Sequence, residues 1–153
     1  MNTDEINLTF HRRKAESDCP MCPDREGPDV IATLPSGHVH LQNDRDYLGY
    51  CTLIFHRHAI ELFDLTSDER AQWIEDIARI EQAIVTVCEP AKFNITMLGN
   101  MVPHLHCHIL PRYSTDPEWG HPPAYRRPAE RNLLTPEDYE ELKAALSQAF
   151  AMV

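Results

Sequence analysis

Residues 101–112 read MVPHLHCHILPR, with His104, His106 and His108 at every second position and Leu105, Cys107 and Ile109 between them. Apolar and β-branched residues dominate, and Pro103 and Pro111 bracket the stretch, so it reads as a strand. Side chains alternate faces along a strand, which puts three imidazoles on one face and three apolar side chains on the other. Three titratable rings in phase suit a metal site or a nucleophilic site better than a plain wet surface. A single ion cannot use all three. His104 and His108 stand about 13 Å apart on an extended strand, and a zinc–nitrogen bond is only about 2 Å long. Two rings can chelate; the third needs another role. Cys107, on the opposite face, is assigned no chemistry.

A second constellation is CPMC, Cys19 and Cys22. The spacing suits a zinc half-site or a redox pair, and the proline-rich surroundings fit poorly with a redox pair opening a helix. A half-site needs two more ligands, and the natural donors are one histidine of the row and one from FHRH at residues 55–58. Two thiolates and two imidazoles make a closed, structural zinc site, which leaves two histidines of the row free for chemistry. Cys51, Cys88 and Cys107 read as small buried hydrophobes.

The elements that must position these residues are legible in outline. The chain has 153 residues, 42% hydrophobic and 25% charged, enough for one domain. Residues 1–28 read as a polar, loop-like segment carrying the zinc-binding cysteines. VIATLP and HVHLQND flank the turn Pro35-Ser36-Gly37 as a hairpin, and YCTLIFH reads as a central strand. Thr66 and Glu69 form a capping box, and Trp73, Ile77, Ile80, Ile84 and Val87 follow at helical spacing up to Pro90, a core stripe. KFNITML is a fourth strand, GNMVP a turn, and the histidine row the fifth strand. Residues 111–136 form a proline-rich arm. A short helix then starts at Thr135 (N-cap) and Pro136. Strands on both sides of one long helix imply an α+β domain with a mostly antiparallel five-stranded sheet. The formal net charge of −10 argues against nucleic acid as a partner. No apolar run reaches the roughly 18 residues of a membrane span, and the N-terminus lacks a signal-peptide pattern, so the expected location is the cytoplasm. An anionic substrate would need a local positive field.

HLHCHILPR resembles the His-x-His-x-His motif of the histidine triad (HIT) nucleotide hydrolases and transferases. LGYCTLIFHRHAIELFDLTSDE resembles the family's strand segment that runs from Pro-Gly-His to Pro-Lys-x-His, with Leu48-Gly49-Tyr50 and Phe55-His56-Arg57-His58 in those places. NITMLGNMVPHLHCH is similar to a bacterial subgroup. The resemblance implies a HIT-like fold, a homodimer, and His106 as the nucleophile that takes up a nucleotidyl group from a nucleotide's α-phosphate. It implies that His104 belongs to the same triad and that His108 donates to phosphate oxygens beside the turn amides of Gly99, Asn100 and Met101. Asn94 would bind near the nucleotide, and Asn43 or Asp44 would hold the ribose. Relatives of galactose-1-phosphate uridylyltransferase bind zinc through Cys-x-x-Cys and two histidines, positions that match Cys19, Cys22, His58 and His104. Leaving-group selection would fall to the arm around Trp119, which either stacks on a base or packs on its own surface. His11, His38, His40, His56 and His121 are expected at the solvated surface.

The expected function is hydrolysis or transfer at nucleoside phosphate anhydrides or phosphoramidates, such as dinucleoside polyphosphates. Two other readings remain open: a nucleotide-binding module with vestigial catalysis, and a zinc metallohydrolase with His104 and His106 as ligands to a catalytic ion.

Overall fold

The computed structural model describes residues 2–22, 27–125 and 127–153. Five strands, β1 (Val30–Leu34), β2 (Gly37–Leu41), β3 (Cys51–Phe55), β4 (Lys92–Thr96) and β5 (His106–Arg112), form one sheet in the order β1-β2-β3-β5-β4. All four pairings are antiparallel. This is the expected α+β, HIT-like architecture. The long helix is α2 (Ser67–Cys88) and the closing helix α3 (Pro136–Phe150). Among the described residues, no helix is long and apolar enough to cross a membrane.

Strand alternation divides the sheet into two unlike faces. Val39, Leu41, Cys51, Leu53, Phe55, Cys107 and Ile109 join one core with Trp73, Ile77, Ile80 and Ile84 of α2 and Leu146, Ala149 and Phe150 of α3. Register places His40 opposite Thr52, and Thr52 opposite His108, on the other face. The helices therefore seal one side and leave the histidine side to loops.

The capping box forms as expected: the Glu69 amide donates to Thr66 Oγ1 (3.2 Å) and the Thr66 amide to Glu69 Oε2 (2.8 Å). Ala83 is buried in the stripe, whereas Val87 is only partly so. Gly37 is a packing requirement, because a Cβ there would stand 2.0 Å from the Ile54 carbonyl oxygen. Asp76 was not foreseen. Its carboxylate is fully buried on α2 and accepts from the Ser36 amide (2.8 Å), the Ser36 hydroxyl (2.6 Å) and Gln72 (3.0 Å). It fastens the β1–β2 turn to the helix. Asp76→Ala leaves the Ser36 amide and hydroxyl without this acceptor, so it is expected to cost on the order of 2–4 kcal/mol in a urea unfolding titration.

Two local expectations are corrected. The N-terminal segment is not loop throughout, since α1 (Thr3–Arg13) opens it. Its capping box joins Asn2 and Glu5, and Asp4 and Glu5 at its start and His11, Arg12 and Arg13 at its end suit the helix dipole. Pro111 lies inside β5 rather than closing it. It pairs with Phe93 beyond the last β3 partner, Ile109, where a proline removes little from the ladder.

Candidate active site and metal centre

The histidine row is split between two sites. β5 begins at His106, and His104 lies in the segment before it, where the Leu105 amide donates to the Ala59 carbonyl (2.6 Å). His104 Nε2 donates to the Phe55 carbonyl (2.9 Å), which leaves Nδ1 facing Cys19 Sγ (3.3 Å) and Cys22 Sγ (3.6 Å). His58 repeats the arrangement, with Nε2 donating to the Lys14 carbonyl (2.9 Å) and Nδ1 facing Cys22 Sγ (3.4 Å). A carbonyl that holds one ring nitrogen as N–H fixes the other as a lone-pair donor, the usual outer support of a histidine ligand. The donor atoms of Cys19, Cys22, His58 and His104 lie within 4.8 Å of one another. A tetrahedral zinc site has nitrogen–sulfur edges of about 3.5 Å, from its bond lengths. This donor set fits such an ion.

His106 and His108 are left for chemistry, their ring centroids 5.0 Å apart. His106 is buried, and its Nδ1 donates to the His104 carbonyl (2.6 Å), so Nε2 carries the lone pair. Burial holds it below the usual imidazole pKa, against the opposing effect of that hydrogen bond. It stays neutral and nucleophilic near pH 7. His108 is pushed down to about 4 by burial first, then by His106 and Arg131. Its Nδ1 is 2.5 Å from the Tyr50 hydroxyl. Burial raises Tyr50 to about 12, so the phenol keeps its proton and can donate it to His108 Nδ1. A neutral His108 that accepts at Nδ1 presents Nε2–H as a donor.

The remaining predicted residues are distributed around this pair. Gly99 (φ +74) and Asn100 line a cavity of about 320 Å³ with His106. Met101 is on the same turn but half exposed, its carbonyl held by Arg13 (2.9 Å). Asn43 lines a second cavity, about 500 Å³, into which His108 opens. Its Oδ1 accepts from the Leu134 amide (2.8 Å). Asp44 is buried beneath, accepting from the Asp46 amide and 4.0 Å from Arg131. Asn94 faces a separate cleft with Trp119, its Oδ1 bound by Arg112. Arg112 is buried and also grips Asp116 and the Glu118 and His121 carbonyls, which anchors the arm. Trp119 lines neither of the cavities that reach His106 and His108.

His40 is a correction: it is buried and lines the second cavity, because the arm covers the sheet face that alternation assigns it. His11, His56 and His121 are exposed, and His38 is half-buried beside Thr33 Oγ1 (3.3 Å). Sequence reasoning missed Arg131 and the role of Tyr50. Arg131 reaches back from the arm, donates to Gln42 Oε1 (3.0 Å) and lies 5.4 Å over the Tyr50 ring. Its charge supplies local positive potential beside His108.

One family model, the HIT domain, matches residues 27–115, a span that holds His58, His104, His106, His108 and the Gly99–Met101 turn but not Cys19 or Cys22. The chain belongs to the HIT domain family. A histidine triad protein from Bradyrhizobium japonicum is 29% identical over 79% of this chain and 89% of its own, with a TM-score of 0.71. A hypothetical histidine triad nucleotide-binding protein from Sulfolobus tokodaii is 17% identical over 88% and 93%, TM-score 0.67. A zinc-bound histidine triad family protein from Mycobacterium smegmatis is 21% identical over 90% and 96%, TM-score 0.67. Among curated proteins, none matches the chain. The HIT fold of this chain thus carries His106 and His108 on the sheet face away from α2 and α3, with the Cys/His quartet beyond the ends of β3 and β5.

Proposed function

We propose that this HIT protein is a nucleotide hydrolase or nucleotidyltransferase working through a nucleotidyl-His106 intermediate. The observation that carries the reading is the His106 Nδ1–H bond to the His104 carbonyl, which aims a neutral Nε2 lone pair at the site. Nε2 attacks the α-phosphorus of a nucleoside phosphate anhydride or phosphoramidate, and the leaving group departs. Water or another acceptor then cleaves the phosphorus–nitrogen bond and frees the imidazole. His108 Nε2–H and the amides of the Gly99–Met101 turn donate to the phosphate oxygens as charge builds. The nucleoside lies in the cavity of Asn43, with Asn43 as the ribose contact, and Asn94 acts beyond it through Arg112 and the arm. The structural neighbour from Sulfolobus tokodaii, a hypothetical histidine triad nucleotide-binding protein, is in keeping with this class. Trapping of a nucleotide on the peptide of residues 101–112 tests it. Failure to form an adduct and to turn over any nucleotide, with nucleotide still bound, would leave a vestigial binding module.

Tyr50→Phe checks the positioning of His108. Loss of the hydroxyl frees Nδ1 to take the proton and turns a lone pair toward the phosphate. We expect kcat to fall about 10- to 100-fold with KM and melting temperature nearly unchanged. An unaltered kcat would mean that His108 keeps its tautomer without Tyr50.

Cys19, Cys22, His58 and His104 would hold zinc, which supplies a structural cross-link between the N-terminal segment and the strand ends; the zinc-bound Mycobacterium smegmatis relative supports this metal. We also propose a cytoplasmic location, where Cys51, Cys88 and Cys107 would stay reduced and Cys19 and Cys22 would stay available as thiolates for the ion. We also propose a homodimer. β4 is a sheet edge with Ile95 partly exposed, a surface that a second copy would cover. Light scattering after size exclusion should give twice the chain mass, and Ile95→Lys should lower it to the monomer value.

A further inference from the structure

Where β2 ends, the cavity that opens onto His108 is lined by hydrogen-bond donors. Gln42 and Asn43 follow β2 directly, and both line this cavity with Arg131. The oxygen of each side-chain amide is pinned by a group that can only donate. Arg131 Nη1 donates to Gln42 Oε1 (3.0 Å), and the Leu134 amide donates to Asn43 Oδ1 (2.8 Å). Neither amide can flip without setting hydrogen against hydrogen, so each keeps its NH2 group for another acceptor. Neither NH2 has a partner among the described residues. Arg131 is the only lysine or arginine among the described lining residues, and its side chain is largely buried.

A site for a bare ribose meets the sugar hydroxyls with a carboxylate that accepts from them, whereas an arginine in that place suits a phosphate on the ribose. The carboxylate available here is Asp44. It is buried, lies 4.0 Å from Arg131 Nε, and is not on the cavity wall. Asp29 is on the wall but belongs to the β1 side, one strand farther from His108. Its carbonyl accepts from the Leu41 amide (2.9 Å) and its carboxylate from the Tyr139 hydroxyl (2.8 Å). Register sets His40 opposite Thr52 and Thr52 opposite His108, so β2 lies two strand spacings, about 10 Å, from the His108 strand. A ribose spans that gap with its 5′-phosphate at His108 and its 2′,3′ edge at the end of β2.

We infer that Gln42, Asn43 and Arg131 bind a second phosphate carried on the ribose, so that the preferred substrate contains a nucleoside 3′,5′- or 2′,5′-bisphosphate unit. This rests on the reading that puts the 5′-phosphate at His106 and His108, and it narrows the substrate of that reading. Gln42 Nε2, Asn43 Nδ2 and the guanidinium all donate, and donors that converge on an anion make charge-assisted hydrogen bonds, the stronger kind. The chain's net charge of −10 gives no general attraction for a bisphosphate, so the selectivity has to be local.

The test measures binding of AMP, adenosine 3′,5′-bisphosphate and adenosine 2′,5′-bisphosphate by titration calorimetry. One of the bisphosphates should bind about 10- to 100-fold more tightly than AMP, and which one does so assigns the 3′ or the 2′ oxygen. Arg131→Gln should bring that ratio toward one. Asn43→Asp keeps an acceptor for the Leu134 amide but puts a carboxylate oxygen where the NH2 stood, so AMP should then bind more tightly than either bisphosphate. The two variants change different elements, and a melting temperature near that of wild type certifies each. A wild-type ratio near one, or a ratio that neither variant lowers, overturns the assignment. So does an equal loss for all three ligands in Arg131→Gln, which would put the guanidinium on the 5′-phosphate. Trapping at His106 is read separately: bisphosphate selectivity without an adduct keeps this subsite and overturns the nucleotidyl-histidine reading, and an adduct without selectivity does the reverse.

Discussion

His106→Ala is expected to abolish both nucleotide adduct and turnover, with kcat/KM down by about 10⁴-fold or more. The protein is incubated with adenosine phosphoramidate or a dinucleoside polyphosphate and quenched at alkaline pH. Alkali matters because protonation of the imidazole makes it a good leaving group, so a phosphoimidazole bond breaks in acid. In wild type, AMP should map to the peptide of residues 101–112; in His106→Ala it should be gone. The variant should keep its metal, because His106 Nδ1 is bound to the His104 carbonyl and its ring stands outside the Cys19, Cys22, His58, His104 quartet. His108→Ala should slow adduct formation without moving it, since its task is to stabilise phosphate charge. His106→Gly supplied with an adenylated imidazole should recover part of the second step. Loss of metal together with activity in His106→Ala would point instead to a metallohydrolase. An adduct that forms on another residue would remove His106 from the mechanism.

The parts of this protein that were legible in its sequence are those carried by period and cap. α2 announced itself by Thr66, Glu69 and the Trp73–Ile84 stripe, and the strands by their alternation and turns. α1 was hidden although Asn2 and Glu5 form a capping box, because a helix with no buried residue has no apolar stripe to read. The clustering of Cys19, Cys22, His58 and His104 was readable from the Cys-x-x-Cys spacing together with the family resemblance that picked out the two histidines. Asn43 and Asp44 could not be separated by spacing; burial separates them, with Asn43 on the cavity wall and Asp44 beneath it. Tyr50 was legible only as a departure from the Pro-Gly-His pattern that its segment resembles, because its bond to His108 depends on β3–β5 register. Arg131 was out of reach. It lies in an aperiodic arm, and what brings it to His108 is the buried Arg112 at the arm's start and the hydrogen bonds to Gln42 and Asn43 at its end. The same arm explains His40: alternation gave the correct face, and covering by distant residues turned an expected wet histidine into a buried one.

Cys19→Ser or Cys22→Ser should remove about one zinc per chain and lower thermal stability by several degrees, on the order of 2–4 kcal/mol. The physical reason lies in how α1 is held. None of its residues is buried, so its own packing contributes little. The cysteines follow it directly, the Lys14 carbonyl accepts from His58, and Arg13 donates to the Met101 carbonyl. With the cross-link gone, two imidazoles, one thiol and a serine hydroxyl remain without an ion between them, and the N-terminal segment should detach first. Limited proteolysis should then cut near residues 14–22 in the variants and after chelation, while the sheet and α2 stay protected. His58→Ala should behave like the cysteine variants, since it contributes a ligand and no group to the phosphate site. Activity should fall only in part, through release of the Met101 carbonyl and loosening of the Gly99–Met101 turn. Each comparison is made by metal analysis, thermal melting and turnover on the same preparations. Metal-free wild type with full stability would remove the quartet as a structural site. Chelation that stops turnover completely with the fold and the N-terminal protection intact would move the ion into catalysis, against the direction in which His104 Nδ1 points.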